Sequence, residues 1–175
     1  MKNKALKKLD KLDESLNQLL SDLDSYTNEQ LNQRPENGGW SVTQILNHLI
    51  LSEKGSIAYC NKKLSFNPKL KSAGLVSELR LKVIQTYMSL PLKVKAPSIV
   101  GTEALPPTDD LDNLKALWKK HRSDVQEFIN TLPDEYLKKE IYKHPMGFRL
   151  SLVGMLGFFE AHFKTHQKQV YNAIK

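Results

Sequence analysis

The sequence has almost no cysteine: Cys60 is the only one among its 175 residues. A scaffold held by disulfides is therefore excluded, and an unpaired thiol suits a reducing cytosol. Long apolar runs are lacking too: the uncharged apolar stretch Leu150–Phe159, for example, is far shorter than the ~20 residues that span a bilayer. The basic N-terminus leads into charged residues rather than an apolar segment, so no signal peptide is predicted. These absences predict a cytoplasmic protein with no membrane partner.

The overall composition is that of a globular protein. Hydrophobic residues make up 40% and charged residues 26% of the sequence, which excludes a disordered or fibrous chain. At ~100–200 residues per domain, this length predicts one domain covering residues 1–175.

Four segments have helical periodicity, and none has a sustained period of two. Ser41 and Gln44 form a capping-box pattern at the start of the second segment. Four long helices joined by polar loops predict an all-α fold, a four-helix bundle. The segments run from Leu6 to Leu23, from Ser41 to about Leu64, from Thr108–Asp110 to Pro133, and from about Leu152 to Ala173.

A partly helical insertion separates the second and third helices. Leu75–Leu90 is predicted to be helical, and Pro91–Pro107 to be extended and loop-like. The whole net charge of +7 lies in residues 62–95, which contain eight basic residues and one acidic residue, Glu78. The rest of the chain contains 18 basic and 18 acidic residues. Two interpretations stay open: a solvated face whose lysine stems cover apolar surface, or a positive rim that attracts an anionic substrate.

The last predicted helix contains two histidines at a spacing of four, His162 and His166. Both rings leave the same face of the helix, and their nitrogens can reach one metal ion. The pattern alone is a weak indication, because a pair of histidines on a partly polar bundle face has the same spacing.

A third histidine, His48, lies at the edge of the apolar stripe of the second helix. If the second and last helices are neighbours, His48 completes a set of three histidines. Three neutral histidines leave one position for water or substrate, as catalytic rather than structural sites do. The alternative is a core histidine bonded to a backbone carbonyl.

Several motifs together resemble those of a known family, the DinB-like (YfiT-like) metal-dependent enzymes. The resemblance extends from about Leu6 to Val170, and the order and separation of the motifs make the combination specific. They are Gly39–Leu49 (GWSVTQILNHL), Trp118-x-x-x-Arg122, His144–Gly147 (HPMG) and His162–Gln169 (HFKTHQKQ).

The resemblance implies an up-down-down-up four-helix bundle that holds one divalent metal, commonly zinc or nickel, through His48, His162 and His166. Relatives are S-transferases that use the thiols bacillithiol or mycothiol, thiol-dependent isomerases, or metal-dependent hydrolases, and many are homodimers. The chain departs from the family at Thr165, where relatives often have an arginine.

Five further side chains are weaker candidates. Gln169 lies three residues beyond the last histidine and is placed to orient it or the substrate, or to be exposed. His121 occupies an inward-facing position, as a proton carrier or at a buried interface. His144 lies in a turn, either at the mouth of the site or simply solvated. Glu53 points too far around its helix to be a metal ligand, and Cys60 is too distant to be a nucleophile and is expected to act as a small apolar residue.

The resulting hypothesis is a metal-dependent enzyme that activates water or a thiol and acts on a small molecule as a hydrolase or thiol S-transferase. A low-molecular-weight thiol is a candidate cosubstrate, and a homodimer is expected. The first alternative is a non-catalytic metal-binding or dimerisation bundle. A nucleic-acid-binding protein is less favoured, because the basic sequence contains no helix-turn-helix signature, aromatic-interleaved basic motif or zinc-knuckle spacing.

Overall fold

The computed structural model describes residues 1–36, 38–90 and 97–174. Six α-helices and one short β-hairpin account for most of these residues. Their bounds are Lys2–Asp22 (α1), Asn28–Asn32 (α2), Val42–Leu64 (α3), Leu75–Ser89 (α4), Leu111–Thr131 (α5), Tyr142–Lys143 (β1), Arg149–Leu150 (β2) and Leu152–Ala173 (α6).

The four long helices α1, α3, α5 and α6 form the bundle. Helix α1 packs against α5 and α6, and α3 packs against the same two helices, so that α1 and α3 lie across the bundle from each other. Leucines of the α1 stripe, such as Leu9, Leu12 and Leu16, are buried in the common core. The predicted all-α four-helix bundle is confirmed.

Helix α3 begins where the capping box predicts. The Gln44 backbone N–H donates to the Ser41 hydroxyl at 3.3 Å, and the Ser41 N–H donates to the Gln44 side-chain oxygen at 3.2 Å. This reciprocal pair satisfies two of the free donors at the helix start. It also fixes the first turns of α3, in which every residue from 42 to 50 is buried. His48 lies in this buried stretch.

The predicted helix in the insertion is confirmed as α4, which packs against α6 and β2. The two helices approach closely at Gly157 of α6, because a side chain there would place its Cβ 2.9 Å from Leu81. The Gln85 side chain also donates to the Gly157 carbonyl at 3.3 Å. Helix α4 is therefore fixed to the helix that contains His162 and His166.

The predicted extended stretch after α4 is described only in part. Residues Pro91–Ala96, with Lys93 and Lys95 of the basic segment, lie outside the described residues. Beyond them, Ser98–Val100 and Thr102–Ala104 form two short 3₁₀ helices rather than extended chain.

The predicted turn at residues 144–147 is confirmed, but the hairpin around it was not predicted. Strand β1 pairs antiparallel with β2, with Tyr142 opposite Leu150. Gly147 has a φ of 86°, a value that favours glycine. Each strand has only two residues, too few to produce a recognisable alternation.

Helix α6 has the predicted bounds. Its N-cap is Ser151, whose hydroxyl accepts the Gly154 N–H at 3.1 Å. Although it is the most apolar of the bundle helices, neither it nor any other helix among the described residues is long and apolar enough to cross a membrane.

A buried ion cluster connects α1, α3 and α5 within the bundle. The Glu53 carboxylate of α3 accepts a hydrogen bond from Arg122 and lies 3.1 Å from Nε2 of His121, both on α5. Arg122 also pairs with Asp13 of α1, with 2.6 Å between Nε and Oδ1. His121 therefore lies at a buried interface, one of its two predicted locations. Glu53 is not part of the cluster of His48, His162 and His166, as predicted.

Opposing effects set the protonation of the two carboxylates in the cluster. Burial alone would raise the pKa of Glu53, but Arg122 and His121 together hold it below its usual value. Asp13 has less compensation: burial raises its pKa to about 6 despite the attraction of Arg122. Glu53 is thus the anion that balances the Arg122 charge in the bundle interior.

We expect Glu53→Gln to lower the free energy of unfolding by about 3–5 kcal/mol, because it leaves the Arg122 guanidinium buried without its main counter-charge. Urea denaturation at neutral pH measures this loss. Glu127→Gln, an exposed carboxylate on α5, is the matched control and should change the stability by less than about 0.5 kcal/mol. Equal small effects of both variants would show that the cluster does not stabilise the bundle.

Candidate metal centre

The structure brings the three predicted histidines together. The Nε2 atom of His162 lies 3.2 Å from Nε2 of His48 and 3.0 Å from Nε2 of His166. One nitrogen of each ring lies within 4.8 Å of the corresponding nitrogen of the others. His48 comes from α3, and the other two come from adjacent turns of α6. The packing of α3 against α6 is what closes the cluster.

Hydrogen bonds at the outer nitrogens determine what the inner nitrogens offer. The Nδ1–H of His48 donates to the Val100 carbonyl at 2.7 Å, which can only accept. His166 places its Nδ1 2.8 Å from the side-chain oxygen of Gln169, which accepts in the same way. In neutral imidazole only one nitrogen carries a proton. The Nε2 atoms of His48 and His166 therefore face the centre of the cluster with free lone pairs.

These distances suit a metal ion. Ligand nitrogens at about 2.0–2.1 Å from a tetrahedral centre lie about 3.3–3.4 Å apart, close to the two Nε2 separations that involve His162. Among the residues that the structure describes, no other histidine, cysteine or carboxylate joins the group. Three nitrogen donors with one open position are the donor set of a catalytic site rather than of a closed structural one.

All three rings are held neutral at physiological pH. Burial lowers the pKa of His48, and it lowers the pKa of His166 to about 3. The pKa of His162 is well below its usual value because the ring is buried and a charge on it would be repelled by the neighbouring rings. Only the neutral ring can donate its lone pair to a metal. At neutral pH the three rings therefore carry no proton on the nitrogen that would bind a metal ion.

The Nδ1 atom of His162 is a buried polar atom with no hydrogen-bond partner among the described residues. A buried polar group without a partner costs free energy. If Nε2 of His162 also gives its lone pair to the centre, the proton must lie on this Nδ1 atom. His162 thus lacks a hydrogen bond at Nδ1 when its Nε2 lone pair, like those of His48 and His166, is directed at the centre of the cluster.

Aromatic rings surround the cluster on two sides. Trp40, half-buried, packs against His48 with 4.8 Å between ring centroids and stacks towards His166 at 6.4 Å. Its indole N–H donates to the Thr102 hydroxyl at 2.9 Å. Phe158 stacks on His162 at 5.4 Å. These rings exclude water from the sides of the cluster and restrict the ways in which the histidines can turn.

His144 is buried, so the interpretation as a solvated turn residue is wrong. Its side chain is held from two directions. Its Nδ1 accepts the Met146 N–H at 3.2 Å, and its ring meets Phe158 edge-on at 4.4 Å. Burial lowers its pKa to about 4. It is also near enough to His162 for a charge on it to lower the His162 pKa.

Two other candidates have clear places in the structure. The Gln169 side chain bonds to His166 although the residue is exposed, so it orients that ring, as one of its predicted roles required. Cys60 is buried, and burial raises the pKa of its thiol to about 12. A thiol of that kind is an inert, small apolar group.

Thr165 makes a local contact between α6 and α4. Its hydroxyl lies 3.0 Å from the carbonyl oxygens of both Met88 and Ala161. The threonine thus helps to dock the end of α4 beside the cluster.

Sequence reasoning missed two partners of the cluster, Val100 and Thr102. Both lie in the insertion, far along the chain from the residues they contact. Val100 acts through its backbone carbonyl, which every residue type has, so no side-chain pattern could predict this contact. Thr102 contacts Trp40 through an ordinary hydroxyl group, which by itself carries no signal.

Comparison with known proteins gives one family and one fold neighbour. The sequence profile of the DinB superfamily matches residues 9–170. The solved structure of YfiT from Bacillus subtilis, described as a probable metal-dependent hydrolase with an unusual four-helix bundle topology, is similar at a TM-score of 0.58 and 21% sequence identity. The alignment covers 98% of this chain and 85% of that one. No curated protein matches the chain.

The burial of His144 predicts a pH dependence of stability. Its pKa is about 4 in the folded protein against 6.5 for an ordinary histidine, so the unfolded chain binds the proton first as the pH falls. The stability that the neutral ring contributes is present above pH ~6.5 and is lost between pH ~6.5 and ~4. Between pH 7 and pH 5, chelator-treated wild type should lose about 2 kcal/mol more than His144→Gln in urea denaturation. Equal losses in the two proteins would contradict the burial of this ring.

Proposed function

The chain belongs to the DinB superfamily, and from this premise we propose that it is an enzyme that holds one divalent metal ion through His48, His162 and His166. The convergence of the three Nε2 atoms carries the proposal. Their separations fit a tetrahedral ion, and the hydrogen bonds to Val100 and Gln169 leave lone pairs directed at its position.

We propose zinc or nickel, the metals that the family resemblance implies, and imidazole nitrogens suit both. A divalent metal in such a site supplies Lewis-acid chemistry, which activates water or a thiol at neutral pH. We therefore propose a hydrolase or a thiol-dependent S-transferase that acts on a small molecule, with a low-molecular-weight thiol as cosubstrate in the second case. The description of YfiT as a probable metal-dependent hydrolase is consistent with the first reaction.

The surroundings of the cluster support catalysis over a purely structural metal. A structural zinc site is normally closed by four protein ligands, and the described residues offer three. Val100 and Gln169 hold two of the rings in a fixed tautomer, as outer hydrogen bonds do in metal enzymes. Trp40 and Phe158 line the sides. The described residues thus orient the ligands, keep them neutral and supply three of the four ligands of a tetrahedral ion.

We expect untagged protein to contain about one equivalent of divalent metal, measured by elemental mass spectrometry after gel filtration. His48→Ala, His162→Ala and His166→Ala should each lower the bound metal to a small fraction of that value, because two nitrogens alone bind weakly. His121→Gln is the matched control: it replaces a buried histidine of the Glu53 cluster with another hydrogen-bond donor and should keep the metal. A wild type without metal after incubation with zinc or nickel, or an equivalent that His162→Ala leaves unchanged, would contradict the proposal.

The reaction class is tested separately by activity profiling. Metal-loaded wild type is assayed against panels of hydrolysable esters and amides and against electrophiles with bacillithiol, mycothiol or glutathione. We expect turnover in one panel, and His48→Ala should lower it by at least about a hundredfold, since loss of a ligand removes the metal contribution. Equal turnover by the variant would show that the activity does not use this site. A metal-loaded protein inactive in both panels would favour the non-catalytic metal-binding bundle.

A further inference from the structure

One face of helix α4 attaches it to the bundle. That face packs on α6 and β2, where Ser77 and Ile84 are buried and Arg80 pairs with Glu140 at 2.8 Å. Within the described residues, α6 and β2 are the main packing partners of α4. These contacts account for the position of the helix, but they do not account for the residues on its other side.

The other side of α4 is a stripe of exposed aliphatic side chains. At 3.6 residues per turn, its members fall within about 100° of the helix circumference. Scattered exposed apolar residues are ordinary, but a contiguous apolar patch marks an interaction surface. The stripe consists of Leu75 (83% exposed), Val76 (61%), Leu79 (62%), Val83 (46%) and Leu90 (48%).

Positive charge is concentrated in the same stretch of the chain. Residues 62–90 contain six basic residues, and Glu78 is their only acidic residue. Arg80 pairs with Glu140, but among the described residues no carboxylate forms an ion pair with any of the five lysines. The bundle therefore leaves most of this charge without a counter-charge. The lysines are Lys62, Lys63, Lys69, Lys71 and Lys82.

Basic side chains border the stripe and precede it in the chain. The helical spacing places Lys82, which is exposed, on one edge of the stripe and Arg80 on the other. Lys69 and Lys71, both exposed, lie in the loop before α4. An apolar stripe flanked by basic residues is typical of a helix that lies in the surface of an anionic bilayer. Its aliphatic side chains enter the acyl boundary, and its lysines reach up to the headgroups.

The charges favour an anionic lipid surface over a second copy of this chain. A copy related by a twofold axis would bring its own uncompensated lysines to the same contact, and like charges across an interface disfavour it. An anionic bilayer has the opposite charge and attracts basic residues close to its surface. It also needs no complementary groove, so a single projecting helix is enough. A homodimer, as the family resemblance implies, would then use another surface.

We propose that the outer face of α4 binds the surface of an anionic lipid membrane. The 15-residue helix, ~22 Å long, lies parallel to the bilayer. Its aliphatic side chains enter between the headgroups, and Lys69, Lys71 and Lys82 contact the lipid phosphates. The proposal replaces the sequence-based prediction of no membrane partner, because that prediction concerned a spanning segment and a helix in the membrane surface needs none. It does not rest on the metal site, since α4 contributes none of the three histidines.

The experiment is flotation of the untagged full chain with vesicles of phosphatidylcholine, either alone or with about 30% phosphatidylglycerol. We expect binding to the anionic vesicles and much weaker binding to the neutral ones. The binding should weaken as salt is added, since salt screens the lysines. Leu79→Asp should weaken it by at least about tenfold, because an inserted leucine is lost and a negative charge is added. Its circular dichroism should be unchanged, because Leu79 is exposed in the free chain.

Matched charge variants separate the stripe and its lysines from the net charge of the protein. Lys82→Gln and Lys119→Gln each remove one positive charge. Lys119 is exposed on α5, whose main contacts are with α1 and α3 rather than with α4. We expect Lys82→Gln to weaken binding to anionic vesicles by about fivefold. Lys119→Gln should weaken it by less than about twofold, because its charge lies farther from the membrane than the screening length.

Three results would overturn the proposal: no binding to anionic vesicles at low salt, binding that Leu79→Asp leaves unchanged, or equal weakening by Lys82→Gln and Lys119→Gln. Sedimentation velocity without lipid tests the other occupant. A dimer that Leu79→Asp dissociates would also overturn the proposal and assign the stripe to a second copy. These measurements need no bound metal, so their failure is distinguishable from failure of the proposed metal site.

Discussion

Three lone pairs directed at one buried point are the constraint on which the rest of this structure depends. In the absence of a cation, the Nε2 atom of His162 would oppose that of His48 at 3.2 Å and that of His166 at 3.0 Å. Burial prevents the rings from relieving this opposition by taking up protons. A divalent ion would remove the conflict, because each lone pair would then be directed at a cation instead of at another lone pair. We therefore propose that a bound metal ion accounts for the close approach of the three Nε2 atoms.

The bundle supplies the rigidity that this arrangement needs. Helix α3 is started by a reciprocal cap at Ser41 and buried from its first turn, and α6 is held by α3 on one side and α4 on another. Elsewhere in the bundle, the Glu53–Arg122 cluster connects three helices. The insertion then completes the site by bringing the Val100 carbonyl to His48. A segment that contains none of the family motifs thus contributes a hydrogen bond to one of the three histidines.

The bundle helices and the histidine pair on α6 were predictable from the sequence. The other features of the site were not, and each has a physical reason. Helical periodicity and the Ser41–Gln44 cap predicted the bundle helices, and the spacing of His162 and His166 placed their rings on one face. The position of His48 relative to them needed the resemblance, because periodicity does not show which helices are neighbours. The burial of His144 depends on a hairpin with two-residue strands, too short for a periodic signal. Val100 acts through its backbone, which leaves no trace in residue type.

The central claim is that the three histidines bind one metal ion through Nε2. Anomalous diffraction from crystals of the metal-loaded protein, collected on both sides of the metal's absorption edge, tests it most directly. The account predicts one strong peak at about 2.0–2.1 Å from Nε2 of His48, His162 and His166, with Nδ1 of His48 still bonded to the Val100 carbonyl. A peak bound by other residues, or no peak at this position although the metal is present in the crystal, would contradict it.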